Sequence, residues 1–147
     1  MNPLLQISDL AICFDRGPAA VESLSLAIRE GETLALVGES GSGKSISALS
    51  ILRLLDARHA SYPSGRIRWR GEDLLTATEK RMRQIRGREI GMIFQEPMTS
   101  LNPLHTVEKQ IGETLELHKG MRGPRARQRC LELLELVGIQ NPETRLG

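Results

Sequence analysis

The sequence predicts an α/β fold with a helical extension that begins near residue 96. Three observations predict it. Strand-like apolar runs fill the N-terminal part, a glycine-rich segment joins one such run to a helix-periodic segment, and the apolar spacing after residue 106 is helical. With 39% hydrophobic and 26% charged residues over 147 positions, the chain has the composition of a globular domain that can bury a core without disulfides or metals.

Composition also excludes several function classes. The net charge of +2 is too small an excess to indicate nucleic-acid binding by itself, and 3% aromatic residues argue against an RNA-stacking surface. The two cysteines, Cys13 and Cys130, lie far apart, which excludes a zinc ribbon, an iron–sulfur pattern and a disulfide framework and favours reduced thiols. No apolar run approaches the roughly 18 residues of a membrane-spanning helix, so we expect any membrane role to depend on a partner.

Three apolar segments near the N-terminus are predicted strands. Leu4–Phe14 alternates imperfectly and ends at a turn over residues 15–18. Val21–Ile28 carries apolar residues at every second position, which is typical of a half-buried strand. Thr33–Val37 is a short, nearly continuous apolar run, which predicts a strand buried on both faces, as in a parallel sheet.

The middle of the chain mixes helix, loop and strand signals. Ser45–Leu55 has helical apolar spacing, residues 56–65 are predicted to form a loop, and Arg66–Arg70 alternates strictly, as a strand with one charged face does. Thr76 and Glu79 predict a capping box for a helix that runs to about residue 86.

The remaining segments are predicted to be mainly helical. Glu89–Phe94 predicts one more apolar strand, and Gln95–Pro103 carries two prolines and is predicted to be irregular. Thr106 is predicted to cap a helix over Val107–Lys119, which breaks at residues 120–124. A second amphipathic helix is predicted over Arg125–Val137 and ends at residue 138, a glycine.

One motif carries the sharpest functional signal. A complete match to G-x-x-x-x-G-K-[ST] lies between a predicted strand and a predicted helix, and an accidental match in a chain of this length is expected roughly once in two hundred. The alternative, a glycine-rich turn with an exposed lysine, does not account for this setting. The eight residues predicted to hold a nucleotide's phosphates are Gly38, Glu39, Ser40, Gly41, Ser42, Gly43, Lys44 and Ser45.

The residue types of this motif suit a triphosphate. Gly38, Gly41 and Gly43 leave the backbone N–H groups free to approach phosphate oxygens and permit left-handed backbone angles. The following helix directs the positive end of its dipole at the same anion. Lys44 adds a full charge for the β- and γ-phosphates, and the hydroxyl of Ser45 can ligate Mg²⁺. Glu39 and Ser40 are interpreted as positional members of the loop without catalytic duty.

A second segment, Phe94-Gln95-Glu96-Pro97-Met98-Thr99-Ser100-Leu101-Asn102-Pro103, completes a family pattern. Together with residues 38–45, it resembles the ABC transporter ATPases, and more narrowly the bacterial peptide and nickel importer subfamily with its oligopeptide and microcin C ATP-binding subunits. The resemblance extends from about Leu4 to Gly147. It implies a P-loop NTPase core of the ABC ATPase type with antiparallel N-terminal strands over 1–95, and the start of a helical subdomain over 96–147.

The resemblance also implies residue roles. Lys44 and Gln95 take catalytic positions, with Gln95 in the Q-loop near Mg²⁺ and the attacking water. Ser45 and Gln95 are the implied Mg²⁺ contacts. Phe14 matches the aromatic residue that stacks on adenine, where tyrosine is common, although a side chain of the plain core is nearly as good an interpretation. Without the P-loop, Gln95 and its neighbours would be interpreted as an ordinary turn.

Cofactors, partners and location follow from the same resemblance. It implies ATP and Mg²⁺ as cofactors and transmembrane permease subunits as partners, contacted through the segment after Gln95. It implies a second ATPase domain that completes a dimer, a peripheral position on the cytoplasmic face of the inner membrane, and no nucleic-acid partner.

Three parts of the family pattern are missing from these residues. The chain contains no Ser-Gly-Gly-Gln, no apolar strand that ends in Asp-Glu, and no switch histidine in context. The sequence therefore predicts a truncated, N-terminal part of an ABC ATPase, with little or no turnover by itself and an uncovered apolar face that makes it prone to aggregate.

Two alternative functions stay open at this point. The chain could be a nucleotide-binding or regulatory module without turnover. It could also be another P-loop NTPase that acts on nucleic acid, although the Gln95 segment and the low aromatic content argue against this.

Overall fold

The computed structural model describes residues 3–95 and 101–147. The chain divides into two compact units, Met1–Ile90 and Gly91–Gly147, each of which is described by itself.

The first unit is built on an antiparallel sheet. Its strands are β1 (Leu5–Phe14), β2 (Ala19–Ile28), β3 (Ala60–Trp69) and the short β4 (Glu72–Asp73). Their order is β2-β1-β3-β4, so β1 pairs with both β2 and β3. The antiparallel N-terminal strands implied by the family resemblance are therefore present.

A β-bulge explains why β1 alternates imperfectly. Asp9 has a φ of 46°, and the pairing of β1 with both neighbours shifts register just after Ile7 or Ser8. The extra residue lets Ile7 and Leu10 both reach the core, although they are three positions apart. Opposite the bulge, a Cβ on Gly65 would lie 2.4 Å from the Cα of Leu10, so β3 needs glycine there. The buried apolar side chains of this unit are Leu5, Ile7, Leu10, Ile12, Leu52, Ile67, Trp69, Leu74, Met82 and Ile85.

Two helices complete the first unit. Helix α1 (Lys44–Ile51) packs against β2, and helix α2 (Glu79–Ile85) buries Met82 and Ile85. The side chain of Thr78 accepts a hydrogen bond from the backbone of Arg81 at 3.3 Å and so caps α2.

The second unit contains a helical hairpin. Helix α3 (Val107–Lys119) begins at the N-cap Thr106 and ends at Gly120, which has a φ of 64°, both as predicted. Helix α4 (Gly123–Leu136) follows, and a 3₁₀ turn at Pro142–Arg145 was not foreseen. Among the described residues of the second unit, one cluster of buried side chains consists of Leu115, Ala126, Cys130, Leu131, Leu134 and Leu146.

Two predicted strands are wrong. The segment Thr33–Val37 forms no strand, and it is not buried on both faces, since Val37 is 87% exposed. Glu89–Phe94 forms only an isolated bridge between Arg86 and Ile90. Both segments are apolar, but a strand exists only where a neighbouring backbone completes the ladder, and none does so in the described part of the chain.

Three smaller boundaries also need correction. The predicted loop 56–65 contains the start of β3, because Ala60 pairs with Phe14. The cap of α2 is Thr78 and not Thr76, whose hydroxyl donates to a local carbonyl instead. The predicted helix Ser45–Leu55 stops at Ile51.

The early end of α1 has a tertiary cause. The residue after its C-cap, Arg53, has a φ of 51°, which a helix does not accommodate. The guanidinium of Arg86 donates to the carbonyls of Leu52 at 2.8 Å and Arg53 at 3.3 Å. A side chain more than thirty positions away therefore satisfies the carbonyls that a longer helix would have used.

Candidate functional site: a phosphate-binding loop

The segment 38–43 forms a tight loop in front of α1. Gly41 and Gly43 both have a φ of 84°, in the left-handed region that side chains disfavour. Gly43 is also the N-cap of α1. The loop thus leads directly into the first turn of α1, which begins at Lys44.

Close packing against β2 fixes the loop at one point. A Cβ on Gly43 would lie 2.7 Å from Cγ2 of Val21 and 2.8 Å from the carbonyl oxygen of Ala20. A Cβ on Gly41 would meet nothing within 4 Å. The two glycines therefore serve different purposes: Gly43 allows contact with β2, and Gly41 only allows the turn.

The ammonium group of Lys44 lies over this loop. Its Nζ donates to the carbonyl oxygens of Gly38 at 2.7 Å and Glu39 at 2.6 Å, and to the hydroxyl of Ser42 at 3.1 Å. All three ammonium hydrogens are thus directed at the loop. The geometry holds a full positive charge against the loop, next to the start of α1.

The start of α1 is suited to an anion. No side chain among the described residues caps this helix, and its first turn contains no acidic residue. Its leading N–H groups are therefore free, and the positive end of the helix dipole is not neutralised. Ser45, in the first turn, is exposed. These features fit a phosphate group with an associated cation.

A cavity of about 440 Å³ lies beside the loop. The residues of the loop, of the helix and of β2 that line it include Val21, Val37, Gly38, Ser42, Lys44 and Ser47. A larger groove of about 610 Å³, on the surface around Arg68 and Arg70, contains none of the motif's residues.

Phe14 is not one of the residues that line this cavity. It is half-buried at the end of β1, and the turn after it is closed by a hydrogen bond of 2.7 Å from the N–H of Gly17 to the carbonyl of Phe14. After this turn, β2 begins at Ala19, which pairs with Cys13 and lines the cavity.

Gln95 is exposed and belongs to the second unit. Lys44 belongs to the first unit. The predicted catalytic and Mg²⁺-binding roles of Gln95 therefore stay predictions. Residues 96–100, which carry most of the second sequence motif, lie outside the described residues. In the described part of the chain, no group of three or more acidic, histidine or cysteine side chains could hold a metal ion.

Sequence reasoning gave no role to His59. In the structure its Nδ1 lies 2.7 Å from a carboxylate oxygen of Asp15, which follows Phe14. Hydrogen bonding to this carboxylate raises the pKa of His59 above its ordinary value. No local signal could reveal the pair, because its members are 44 positions apart.

A polar network ties α2 to the sheet and was also not foreseen. Arg81 forms ion pairs with Glu72 and Glu89, at 2.9 and 2.6 Å, and the indole N–H of Trp69 donates to Glu89 at 2.7 Å. These hydrogen bonds, chiefly that from Arg81, lower the pKa of Glu89. Part of the arginine-rich surface is therefore neutralised within the fold.

A family model described as ABC transporter matches residues 21–147. The chain belongs to the ABC transporter family. This match confirms the resemblance that the two sequence motifs carried, and it disfavours the alternative of a nucleic-acid NTPase. Among the described residues, no helix is long and apolar enough to cross a membrane.

Similar proteins are ATP-binding proteins of transport systems. A peptidoglycan transport ATP-binding protein, YejF, of Agrobacterium fabrum is 58% identical over 99% of this chain and 27% of its own length. The oligopeptide transport ATP-binding protein OppD of Bacillus subtilis is 47% identical over 98% of this chain and 41% of its own length. The chain therefore spans less than half the length of these relatives.

Solved structures show the same fold. The dimeric structure of MJ0796, a bacterial ABC transporter cassette, matches with a TM-score of 0.78 and 25% identity, over 97% of this chain and 60% of that one. A second structure of the same cassette, in a post-hydrolysis state bound to ADP and Pi, matches equally well over 96% of this chain. The predicted ABC ATPase fold class is thus confirmed.

Proposed function

We propose that this chain binds ATP with Mg²⁺ through residues 38–45, as the nucleotide-binding part of an ABC transporter subunit that imports peptides or related solutes. One observation carries the proposal. The ammonium of Lys44, the uncapped start of α1 and the adjacent cavity lie together at one glycine-rich loop. The names of the relatives support the peptide class.

Each part of the loop contributes one interaction in this proposal. The backbone N–H groups of residues 38–43 and of the first turn of α1 bind phosphate oxygens. Lys44 exchanges its hydrogen bonds to the loop carbonyls for bonds to the β- and γ-phosphates. Ser45 supplies a hydroxyl ligand, and Mg²⁺ when bound neutralises and orients the phosphates. Gln95 is proposed to contact Mg²⁺ and the attacking water.

Adenine is proposed to stack on Phe14. This ring stands at the tip of the β1–β2 hairpin, and the strand that returns from the tip lines the cavity through Ala19. A phenylalanine keeps the stacking face of an aromatic ring and lacks only the hydroxyl of tyrosine.

The assembly is proposed from the family. The chain would pair with a second ATPase domain, as the dimeric cassette of known structure does, and would contact permease subunits through the segment after Gln95. The proposed location is the cytoplasmic face of the membrane. The division at residues 95 and 96 into an ATPase core and a helical subdomain is part of the same proposal.

Turnover by these 147 residues alone is not expected. The sequence offers no Ser-Gly-Gly-Gln and no Asp-Glu strand end, so the residues that position water and close the site on the family pattern are not supplied. We therefore propose binding without hydrolysis for the isolated chain. A steady-state phosphate-release assay that shows hydrolysis dependent on Lys44 would contradict this.

Isothermal titration calorimetry with ATP and Mg²⁺ tests the proposed site. Lys44→Ala should weaken ATP binding about tenfold or more, because a charge-assisted contact to phosphate is lost. Gln95→Ala should leave affinity nearly unchanged, and Lys119→Ala, which removes an exposed lysine elsewhere, serves as the matched control. Equal losses of affinity in the Lys44 and Gln95 variants would contradict the proposed division of roles.

A further inference from the structure

Two contacts join the tip of the β1–β2 hairpin to the residue that precedes β3. The backbone N–H of Asp15 donates to the carbonyl of His59 at 3.0 Å. The imidazole Nδ1 of His59 lies 2.7 Å from the Asp15 carboxylate. The same two residues are thus connected through both main chain and side chain.

The turn held by these contacts is strained. Asp15 and Arg16 both have positive φ angles, 48° and 60°, as the central residues of a type I′ hairpin turn require. Glycine, asparagine or aspartate usually occupies such positions, so Asp15 suits its place, whereas the longer side chain of Arg16 crowds the backbone there. A turn of this kind persists when contacts from outside it fix its conformation, and His59 supplies them.

The turn and His59 both adjoin the main chain of Phe14. Phe14 precedes the turn, accepts its closing hydrogen bond from Gly17, and pairs with Ala60, the residue next to His59. A change in the Asp15–His59 contact therefore acts on the residue that follows Phe14 and on the residue before its partner in β3.

We infer that His59 is a positioning residue for nucleotide binding, which holds the hairpin turn so that the Phe14 ring meets adenine. This inference rests on the proposed function and adds to it a residue that no sequence motif includes. In the described part of the chain, no hydrogen bond joins residues 38–45 to Asp15 or His59. His59 should therefore influence the binding of the adenine base and not that of the phosphates.

The contact should respond to pH. The charged groups that act on His59 are Asp15 in the turn and Asp56 on its own segment, and Asp56 is paired with Arg58 at 2.6 Å. The hydrogen bond and the charge of Asp15 raise the pKa of His59 most, burial opposes them to a smaller extent, and the charge of Asp56 adds the least. Arg58 lowers the pKa of Asp56 to about 2, so that carboxylate stays charged. The charged pair is therefore complete below the ordinary histidine pKa and is lost as pH rises through the higher pKa of the folded state.

Titration calorimetry with two probes tests the inference on the 147-residue chain. The probes are ATP with Mg²⁺ and inorganic tripolyphosphate with Mg²⁺, which lacks the base. His59→Gln should weaken ATP binding about threefold near pH 6, a size typical of an exposed ion pair, and leave it unchanged near pH 8.5. Tripolyphosphate binding should not change at either pH.

Two further variants make the test specific. Asp15→Asn removes the charge and keeps a side chain that tolerates the left-handed region, so it should reproduce the His59→Gln effect. The double variant should lose no more than either single one, as residues that act through one contact do. His118→Gln, on α3, is the matched control and should bind ATP as the parent chain does at both pH values.

The possible outcomes are distinct. ATP affinity in His59→Gln that equals the parent's near pH 6 overturns the inference, as does an equal loss for ATP and tripolyphosphate. A parent chain that binds neither probe, or binds both as well after Lys44→Ala, overturns the proposed function and the inference with it. If His59→Gln weakens the binding of ATP but not of tripolyphosphate, and does so only near pH 6, the result supports both the proposed function and the inference.

Discussion

Replacing Gly43 by alanine, with Gly41→Ala as its matched control, separates the two demands that the phosphate loop places on glycine. Both residues have a φ of 84°, so both variants force an alanine into the left-handed region, at a cost of about 1–2 kcal/mol. Only at position 43 does the new methyl group meet protein atoms, Cγ2 of Val21 at 2.7 Å and the carbonyl oxygen of Ala20 at 2.8 Å.

A second destabilising contribution in Gly43→Ala comes from overpacking. A contact below 3 Å with backbone and with a β-branched side chain forces α1 or the start of β2 to move, which costs about 1–3 kcal/mol more. We therefore expect Gly43→Ala to lower the free energy of unfolding by about 2–5 kcal/mol, against about 1–2 kcal/mol for Gly41→Ala. Any movement of α1 also displaces the N–H groups proposed to bind phosphate, so ATP affinity should fall further in the Gly43 variant.

Urea unfolding followed by tryptophan fluorescence measures this difference. The chain has a single tryptophan, Trp69, which is buried in β3 and thus reports on the unit that contains the loop. Equal destabilisation by the two substitutions would refute the reasoning, because it would mean that the close approach of Gly43 to β2 has no energetic consequence.

Two further predictions concern the framework around the site. Thr78→Ala should destabilise the first unit by about 1 kcal/mol through loss of the α2 cap, whereas Thr76→Ala should be nearly neutral; the reverse order in urea unfolding would restore the capping box that the sequence predicted. The pKa of Glu89 is lowered from 4.5, so its contribution to stability is present above that pH and is lost as pH falls through the lower folded value. Acid unfolding monitored by Trp69 fluorescence should therefore be less steep in Glu89→Gln, and an unchanged acid profile would count against the network.

Local signals in the sequence were sufficient for the ends of α3 and for the phosphate loop. Thr106 and Gly120 act within one turn of the helix they bound, so their residue types already specify its limits. The loop motif works in the same way, since Lys44 bonds to three residues of its own loop, and only the contact of Gly43 with β2 comes from outside it. Such features depend on few neighbours and can be predicted without the fold.

Contacts distant in sequence were beyond such prediction. The contact between Asp15 and His59 joins residues 44 positions apart. The guanidinium of Arg86, the residue after α2, bonds to the carbonyl of Leu52 at the end of α1. The bulge at Asp9 depends on the glycine opposite it, Gly65, in another strand. In each of these pairs, the residue type of one member does not reveal which distant residue it contacts.

The sequence alone determined that a glycine-rich loop with left-handed glycines precedes a helix here, because the required φ angles are properties of a few consecutive residues, and phosphate binding by this loop stays a prediction. The tertiary structure alone decided which apolar runs became strands. Leu5–Phe14 has neighbours on both edges, whereas Thr33–Val37 is equally apolar and stays unpaired in the described part of the chain. The physical reason is that hydrophobicity is a property of a segment, but a strand is completed by hydrogen bonds from another one.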